Sequence, residues 1–181
     1  MICHLKKLLM LIPILKIEVF SKNELCINIS LNFLNNIFFF LKNNFNQQFK
    51  ILSYISGIDN PKLIYRFKII YDLLSIFYNV RLRVKLMANE LTSVNSLEYI
   101  YNGANWWECE IWDMFGIFFT NNFNLIRLLT DYGFEGYPLR KDFPLNGFYE
   151  SKYSQIKHRV IYNNLELCQQ YRTFEFFSPW Q

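Results

Sequence analysis

Two runs of alternating residues constrain this chain more than anything else in it. Between Leu63 and Asp72, the side chains of Tyr65, Phe67, Ile69 and Tyr71 share one face; between Val80 and Met87, those of Val80, Leu82, Val84 and Leu86 do the same. The opposite faces carry Arg66, Lys68, Arg81, Arg83 and Lys85. A period of two marks a half-buried strand. Seven residues separate the runs, which suits antiparallel neighbours and is too few for a parallel crossover. A sheet with one apolar and one cationic side takes its cover on the apolar side. The covering segment lies upstream, where Phe33, Leu34, Ile37, Phe38, Leu41 and Phe45 recur at three- and four-residue steps. That spacing predicts a helix over 31–45 with a broad apolar face, and Ser30 is placed to cap it.

Around this pair, Leu25 to Ser30 alternates as a strand, Phe49 to Ser56 is apolar on both faces and reads as a central strand, and Gly57 to Pro61 reads as a turn. Residues 1–24 read as a short helix near 5–12 and then a strand at 16–20. After Pro144 the sequence reads as short extended pieces, with a strand from Arg159 to Tyr162 and a helical turn over 166–170. The closing residues, Tyr171 to Trp180, are too aromatic to leave in water, so they lie back on the domain or dock on a neighbour. The fold class is α+β: a small, mostly antiparallel sheet with helices on one face, followed by an irregular extended C-terminal segment. We expect residues 1–103 to form an α+β domain. Residues 104–147 add a signature helix and a turn-rich interface segment to that domain, and 148–181 form an extended tail.

The densest stretch runs from Ala104 to Pro144. A-N-W-W-E-C-E-I-W-D-M-F-G predicts a compact helix over 106–115, with Asn105 as N-cap, Glu108 completing a capping box and Gly116 in the left-handed position after the last turn. Trp107, Ile111, Trp112, Met114 and Phe115 make an apolar arc, with Glu110 and Asp113 opposite. Glu108 falls inside the arc. Either it only caps the helix, or it is a half-buried carboxylate held by a cation, for which Arg127 and Arg140 are nearest in sequence. Asp113 sits in the last turn, where the helix dipole disfavours an anion, so a contact outside the helix is expected. Asp131-Tyr132-Gly133 and Glu135-Gly136-Tyr137-Pro138 are turn-formers. Arg140, Lys141 and Asp142 then precede Phe143-Pro144. Aromatics alternating with charges on a loop suit a protein partner, or equally a loop packed on its own domain.

Composition narrows the function. A length of 181 residues fits one domain with a real core, and 52% hydrophobic residues exclude disorder. The net charge of +4 is mild for a nucleic-acid binder, so the cationic sheet side reads first as a solvated face, then as a surface for an acidic protein, and last as one for RNA. No apolar run reaches the ~18–20 residues of a spanning helix; Leu8 to Leu15 contains Pro13 and lies between Lys7 and Lys16. Cys3, Cys26, Cys109 and Cys168 make no C-x-x-C, and His4 and His158 are far apart, so no metal or cluster ligation is expected. Neither a phosphate-binding glycine loop nor a zinc or nucleophile-elbow motif occurs. Glu108 and Glu110 are two apart on a helix and point away from each other. No catalytic residue is expected. Phe 19 and Tyr 12 against Gly 6 and Pro 5 point to AT-rich coding, as in an organellar genome.

W-E-C-E-I-W-D-M-F-G-I followed by L-L-T-D-Y-G-F-E-G-Y-P-L-R-K-D-F-P-L resembles the signature of the subunit 9, or 30-kDa-type, family of respiratory complex I. The likeness runs from about Leu25 to Trp180, through Q-F-K-I-L, Y-R-F-K-I-I-Y, N-E-L-T and the ending Y-R-T-F-E-F-F-S-P-W. The sequence departs from it at Cys109 and Ile126, where the family usually has arginine, and at Tyr137, where it usually has histidine. The resemblance implies a non-catalytic structural subunit in the peripheral arm, the quinone-reducing module, of NADH:ubiquinone oxidoreductase. That arm faces the matrix from the mitochondrial inner membrane. It implies contact with the large hydrogenase-like subunit and with the subunit holding the terminal iron–sulfur cluster. Flavin and clusters would sit in other subunits, with no cofactor in this chain and no nucleic acid bound. The partner-facing residues it implies are Glu108, Glu110, Trp112, Asp113, Phe115, Arg127, Asp131, Tyr132, Arg140, Lys141, Asp142, Phe143 and Trp180. The alternative is an organellar ribosomal, RNA-binding protein using the cationic sheet face.

Overall fold

A computed structural model describes residues 12–21, 24–166 and 173–178. The protein divides after Lys141 into two compact units. The first is built on a five-stranded sheet of β1 (Ile14–Ser21), β2 (Glu24–Ile29), β3 (Ile51–Asp59), β4 (Phe67–Ser75) and β5 (Val80–Ala88), in the order β1-β2-β5-β4-β3. Every neighbouring pair in it is antiparallel except β2 and β5, which run parallel. The expected strand pair is the centre of this sheet, and a mixed sheet with few helices places the protein in the α+β class.

Register fixes the faces. Across the sheet Ile27, Val84, Tyr71 and Ile55 stand in one row, and Ile29, Leu86, Ile69 and Gly57 in the next. All but Gly57 are at most 3% exposed. Helix α1 (Leu34–Asn43) covers this side with Leu34, Ile37, Phe38 and Leu41, and the Phe38 ring meets Tyr71 edge-on at 5.0 Å. Helix α2 (Ala104–Phe115) packs on the same side, its Phe115 ring edge-on to Phe67 at 6.5 Å. Gly57 is required there: a Cβ on it would lie 2.7 Å from the Phe115 ring. Each fully buried Phe or Leu contributes roughly 1.5–3 kcal/mol, so this face supplies most of the stability.

The other side of the sheet has the expected cations, but acids are interleaved with them. Asp72 lies 3.5 Å from Arg81 and 3.7 Å from Arg83, and Glu18 lies 2.9 Å from Lys16 and 3.2 Å from Lys85. Hydrogen bonds from the Lys16 and Lys85 ammonium groups hold the Glu18 carboxyl below its ordinary range. A surface half-neutralised in this way is a poor match for a phosphate backbone.

Several expected boundaries shift. The 49–56 run becomes β3 at 51–59, and it is an edge strand rather than a central one. On its outward side the Tyr54 hydroxyl accepts a 3.2 Å bond from Arg83. The expected 63–72 strand begins at Phe67, because a turn from Asn60 to Leu63 occupies its first residues and leaves Tyr65 50% exposed. Ser30 makes no side-chain cap; the helix opens through a 3-10 turn at Leu31–Phe33 instead. The expected helix at 5–12 lies outside the described residues.

The linking region 88–103 contains a two-residue strand, β6 (Val94–Asn95), which pairs in parallel with β7 (Phe119–Thr120). The second unit is a hairpin of β8 (Tyr149–Ser154) and β9 (Arg159–Asn164). Among its described residues none is buried. The expected helical turn over 166–170 and the end of the aromatic tail, with Trp180, lie outside the described residues; Phe174, Phe176 and Phe177 are exposed.

Candidate partner interface

Helix α2 starts two residues earlier than its sequence suggests. Gly103 is the N-cap residue and gives no side-chain cap. Asn105 is already helical; its amide donates to Glu98 at 2.8 Å, and its carbonyl accepts from the Cys109 thiol at 3.4 Å. The capping box is therefore absent, and Glu108 is turned fully inward. Its carboxylate accepts from the Ser96 hydroxyl (2.6 Å), the Leu97 N–H (2.8 Å) and the Asn122 amide (2.8 Å). Three neutral donors hold it, so neither the capping role nor the cation partner applies. Burial pushes the Glu108 carboxyl above its ordinary range, only partly offset by those three bonds. The helix thereby ties β6 to the turn after β7.

Asp113 makes the contact outside the helix that its position called for. It is fully buried. One oxygen accepts N–H bonds from Leu128, Leu129 and Thr130 at 3.2, 2.7 and 2.9 Å; the other accepts the Thr130 hydroxyl at 2.6 Å and Arg127 at 3.4 Å. Burial pushes its carboxyl up, but the Thr130 hydroxyl, the two shortest N–H bonds and Arg127 outweigh this and leave it below the ordinary range. The D of W-D-M-F-G and the T of L-L-T-D-Y-G are thus one joint.

Gly116 ends the helix at φ 74°, as expected, and for two reasons. A side chain there would be strained by backbone geometry, and its Cβ would sit 2.6 Å from the Tyr137 ring and 2.7 Å from Arg140. Tyr137 itself lies between two guanidinium groups, Arg127 at 5.0 Å and Arg140 at 4.5 Å from the ring centre, with Trp112 edge-on at 6.0 Å. Arg140 also donates to the Phe115 carbonyl at 2.6 Å and stacks on Phe67 at 5.2 Å. The 124–141 loop is therefore fastened to its own domain.

The loop is closed by residues that sequence reading had not grouped. Asp59, 3% exposed, takes a two-pronged grip from Arg66 at 2.7 and 2.9 Å and the Lys141 N–H at 2.8 Å. Arg66 bonds Glu90 as well, and Arg140 lies 4.0 Å from the same carboxylate. The Arg66 guanidinium holds Asp59 below the usual carboxylate range against the pull of burial. Arg66 leads into β4 beside Asp59, so it serves this joint rather than the cationic sheet face. Nothing local in the sequence pairs Asp59 with Lys141, or Glu108 with Ser96 and Asn122.

The expected interface residues therefore divide. Glu108, Asp113 and Phe115 are buried within the protein; Glu110, Trp112, Arg127 and Arg140 are half-buried; Asp131, Tyr132 and Lys141 are exposed. Asp142 and Phe143 belong to the second unit, where Phe143 meets Phe148 edge-on at 5.4 Å. Trp180 lies outside the described residues. Apolar side chains that were not singled out stand clear of the same segment: Trp106 at 72%, Phe123 at 96% and Leu129 at 64% exposure. Cys109, buried at 2%, lies 3.3 Å from the Asn124 carbonyl. Among the described residues no group of three or more His, Cys, Asp or Glu is arranged to hold a metal ion, and no helix is long and apolar enough to cross a membrane.

Comparison with known proteins gives this geometry a family. Residues 27–149 match the family described as respiratory-chain NADH dehydrogenase, 30 Kd subunit. The protein is 47% identical over 163 residues to NADH-ubiquinone oxidoreductase subunit 9 of Reclinomonas americana, covering 90% of this chain and 80% of that one. It is 41% identical over 177 residues to the subunit 9 of Prototheca wickerhamii, covering 97% and 92%. It is also 46% identical over 142 residues to NADH dehydrogenase [ubiquinone] iron-sulfur protein 3 of Solanum tuberosum, covering 78% and 75%. In fold it is similar to one subunit of the membrane-bound sulfane sulfur reductase, an archaeal respiratory membrane complex. The TM-score is 0.68 at 22% identity, over 78% of this chain and 84% of that one. None of these matches supports an RNA-binding ribosomal protein. The chain belongs to the family of the 30 kDa subunit of respiratory-chain NADH dehydrogenase.

Proposed function

We propose that this protein is a structural subunit of the peripheral arm of mitochondrial NADH:ubiquinone oxidoreductase. In this reading it supports electron transfer from NADH to ubiquinone without a catalytic group, flavin, cluster or quinone site of its own. Its neighbours are the large hydrogenase-like subunit and the subunit with the terminal iron–sulfur cluster, on the matrix side. The names of its relatives support the assembly. One observation carries the role: Glu108, Asp113, Arg127 and Arg140 bond within the domain and fasten the loop, while Trp106, Phe123, Leu129 and Tyr132 stay exposed on the segment. Fixed, exposed aromatics are the usual anchors of a protein interface. The second unit supports the same role, because a two-stranded hairpin with no buried residue is marginal unless it finds another surface. Solubilised membranes from cells carrying an affinity-tagged form of the protein test this reading. Co-purification with the peripheral-arm subunits is the expected result, and recovery only as a free monomer overturns it.

A further inference from the structure

We infer that Asn102 is a site of spontaneous deamidation, and that the fold selects it over the other Asn-Gly pair of the sequence, Asn146-Gly147. The reaction needs a backbone nitrogen free to attack the preceding side-chain amide. The Gly103 nitrogen bonds to the Asn102 Cγ as its proton passes to solvent. The bond from Cγ to the amide nitrogen of Asn102 breaks, and ammonia leaves after taking a proton from water. The cyclic imide is then opened by water at either carbonyl. One opening gives aspartate and the other gives isoaspartate, whose backbone is one carbon longer. The net change is gain of water and loss of ammonia, with no oxidant or reductant.

The two pairs differ in how their glycine nitrogens are held. Asn102 and Gly103 are both exposed, in a turn closed by the 2.9 Å bond from the Ala104 N–H to the Tyr101 carbonyl. Within that turn the Gly103 N–H donates to none of the described residues, and apart from its two chain neighbours no described residue lies within 4 Å of where a Gly103 Cβ would be. Asn146 is also exposed, but the Gly147 N–H is committed to the Pro144 carbonyl at 3.1 Å, with φ at 73°. That bond has to break before Gly147 can attack, which slows Asn146 by about fivefold, the factor one ordinary hydrogen bond is worth.

The site also matters to its surroundings. Helix α2 begins with no side-chain cap and no acid in its first turn. The aspartate product would place an anion just before that uncapped end, where the helix dipole favours it. The isoaspartate product would lengthen the turn and break the bond between Tyr101 and Ala104.

The test incubates the full-length protein at mildly alkaline pH and follows both sites by peptide mapping, natively and in denaturant. Expected is conversion of Asn102 about fivefold ahead of Asn146 in the native protein, and equal rates in denaturant, where both are plain Asn-Gly. Asn102→Gln, whose longer side chain disfavours the five-membered ring, should abolish the faster site; Asn146→Gln should leave it unchanged. Gly103→Ala, which the open space and φ of −70° accommodate, should slow it without unfolding the helix. Equal native rates, a faster Asn146, or no native conversion at Asn102 would each overturn the inference.

Discussion

Replacing Asp113 by Asn tests whether a single carboxylate fastens the loop to helix α2. The substitution keeps size and shape and removes only the charge. If the amide oxygen takes the place of the oxygen that accepts Leu128, Leu129 and Thr130, those three bonds survive as neutral ones. The new NH2 then faces the Thr130 hydroxyl, which can rotate to accept, and Arg127, which cannot. Bonds to an ionised acceptor contribute about 1 kcal/mol more than neutral ones. The four from uncharged donors, discounted for non-additivity, amount to about 2–4 kcal/mol. At about 1.36 kcal/mol per decade this raises local opening about thirtyfold to a thousandfold. Amide hydrogen exchange reads it directly: protection at Leu129 and Thr130 should fall by that factor while β4 and β5 keep theirs. Unchanged protection at those two amides would refute the reasoning. An equal drop throughout the sheet would also refute it, because the loop would then open only with the core.

Other perturbations separate the remaining joints. Gly116→Ala meets both a left-handed backbone and the Tyr137 ring, so it should cost more than the roughly 1–2 kcal/mol of the backbone term alone, measured by urea unfolding. Phe38→Ala empties the meeting point of α1 and Tyr71 and should lower stability by about 3–5 kcal/mol. Asp59 and Asp113 have lowered folded-state values, so their stabilisation is complete above about pH 4 and is lost as pH falls through those values; Asp59→Asn should flatten the acid limb of a stability–pH curve. Glu108 has the opposite sign. Its raised value favours the fold below about pH 4.3, and that contribution is lost as pH rises through the folded value. Glu108→Gln should remove that slope while lowering overall stability by about 1–3 kcal/mol, because the new amide opposes the Asn122 amide. Arg140→Ala, which sequence alone would assign to assembly, should first loosen the 137–141 turn, visible as faster exchange at Leu139 and Lys141 before any loss of co-purification.

What the sequence shows and what it hides follow from range. Alternation in 67–75 and 80–88 is written residue by residue, so the sheet's centre could be read, as could the Gly116 stop, which depends on its own φ. Strand order leaves no local mark: an apolar run such as Ile51–Asp59 looks the same at an edge as in the middle. Cap residues mislead for a related reason. Asn105 and Glu108 match a capping box, yet Ser96, Leu97 and Asn122, distant in sequence, offer Glu108 better donors. Helix periodicity placed Asp113 at a position needing an outside partner but could not say that the partner was the Leu128–Thr130 backbone. The residue types of the signature suit an interface and a self-packed loop equally; Glu108, Asp113, Arg127 and Arg140 bond within the domain and Phe115 is buried, while Asp131, Tyr132 and Lys141 stay exposed.

The parallel pairing of β2 with β5 imposes an order on folding. During synthesis the hairpin of β1 and β2 leaves the ribosome first, with Leu25, Ile27 and Ile29 still uncovered. The strand they need arrives only after α1, β3 and β4 have emerged, and β5 must seal against β4 on one edge and β2 on the other. Closing that long loop is slow compared with forming the β3–β4–β5 meander. Nascent polypeptides stalled before Val80 therefore keep an open β2 edge, the state in which this protein is most exposed to misassembly.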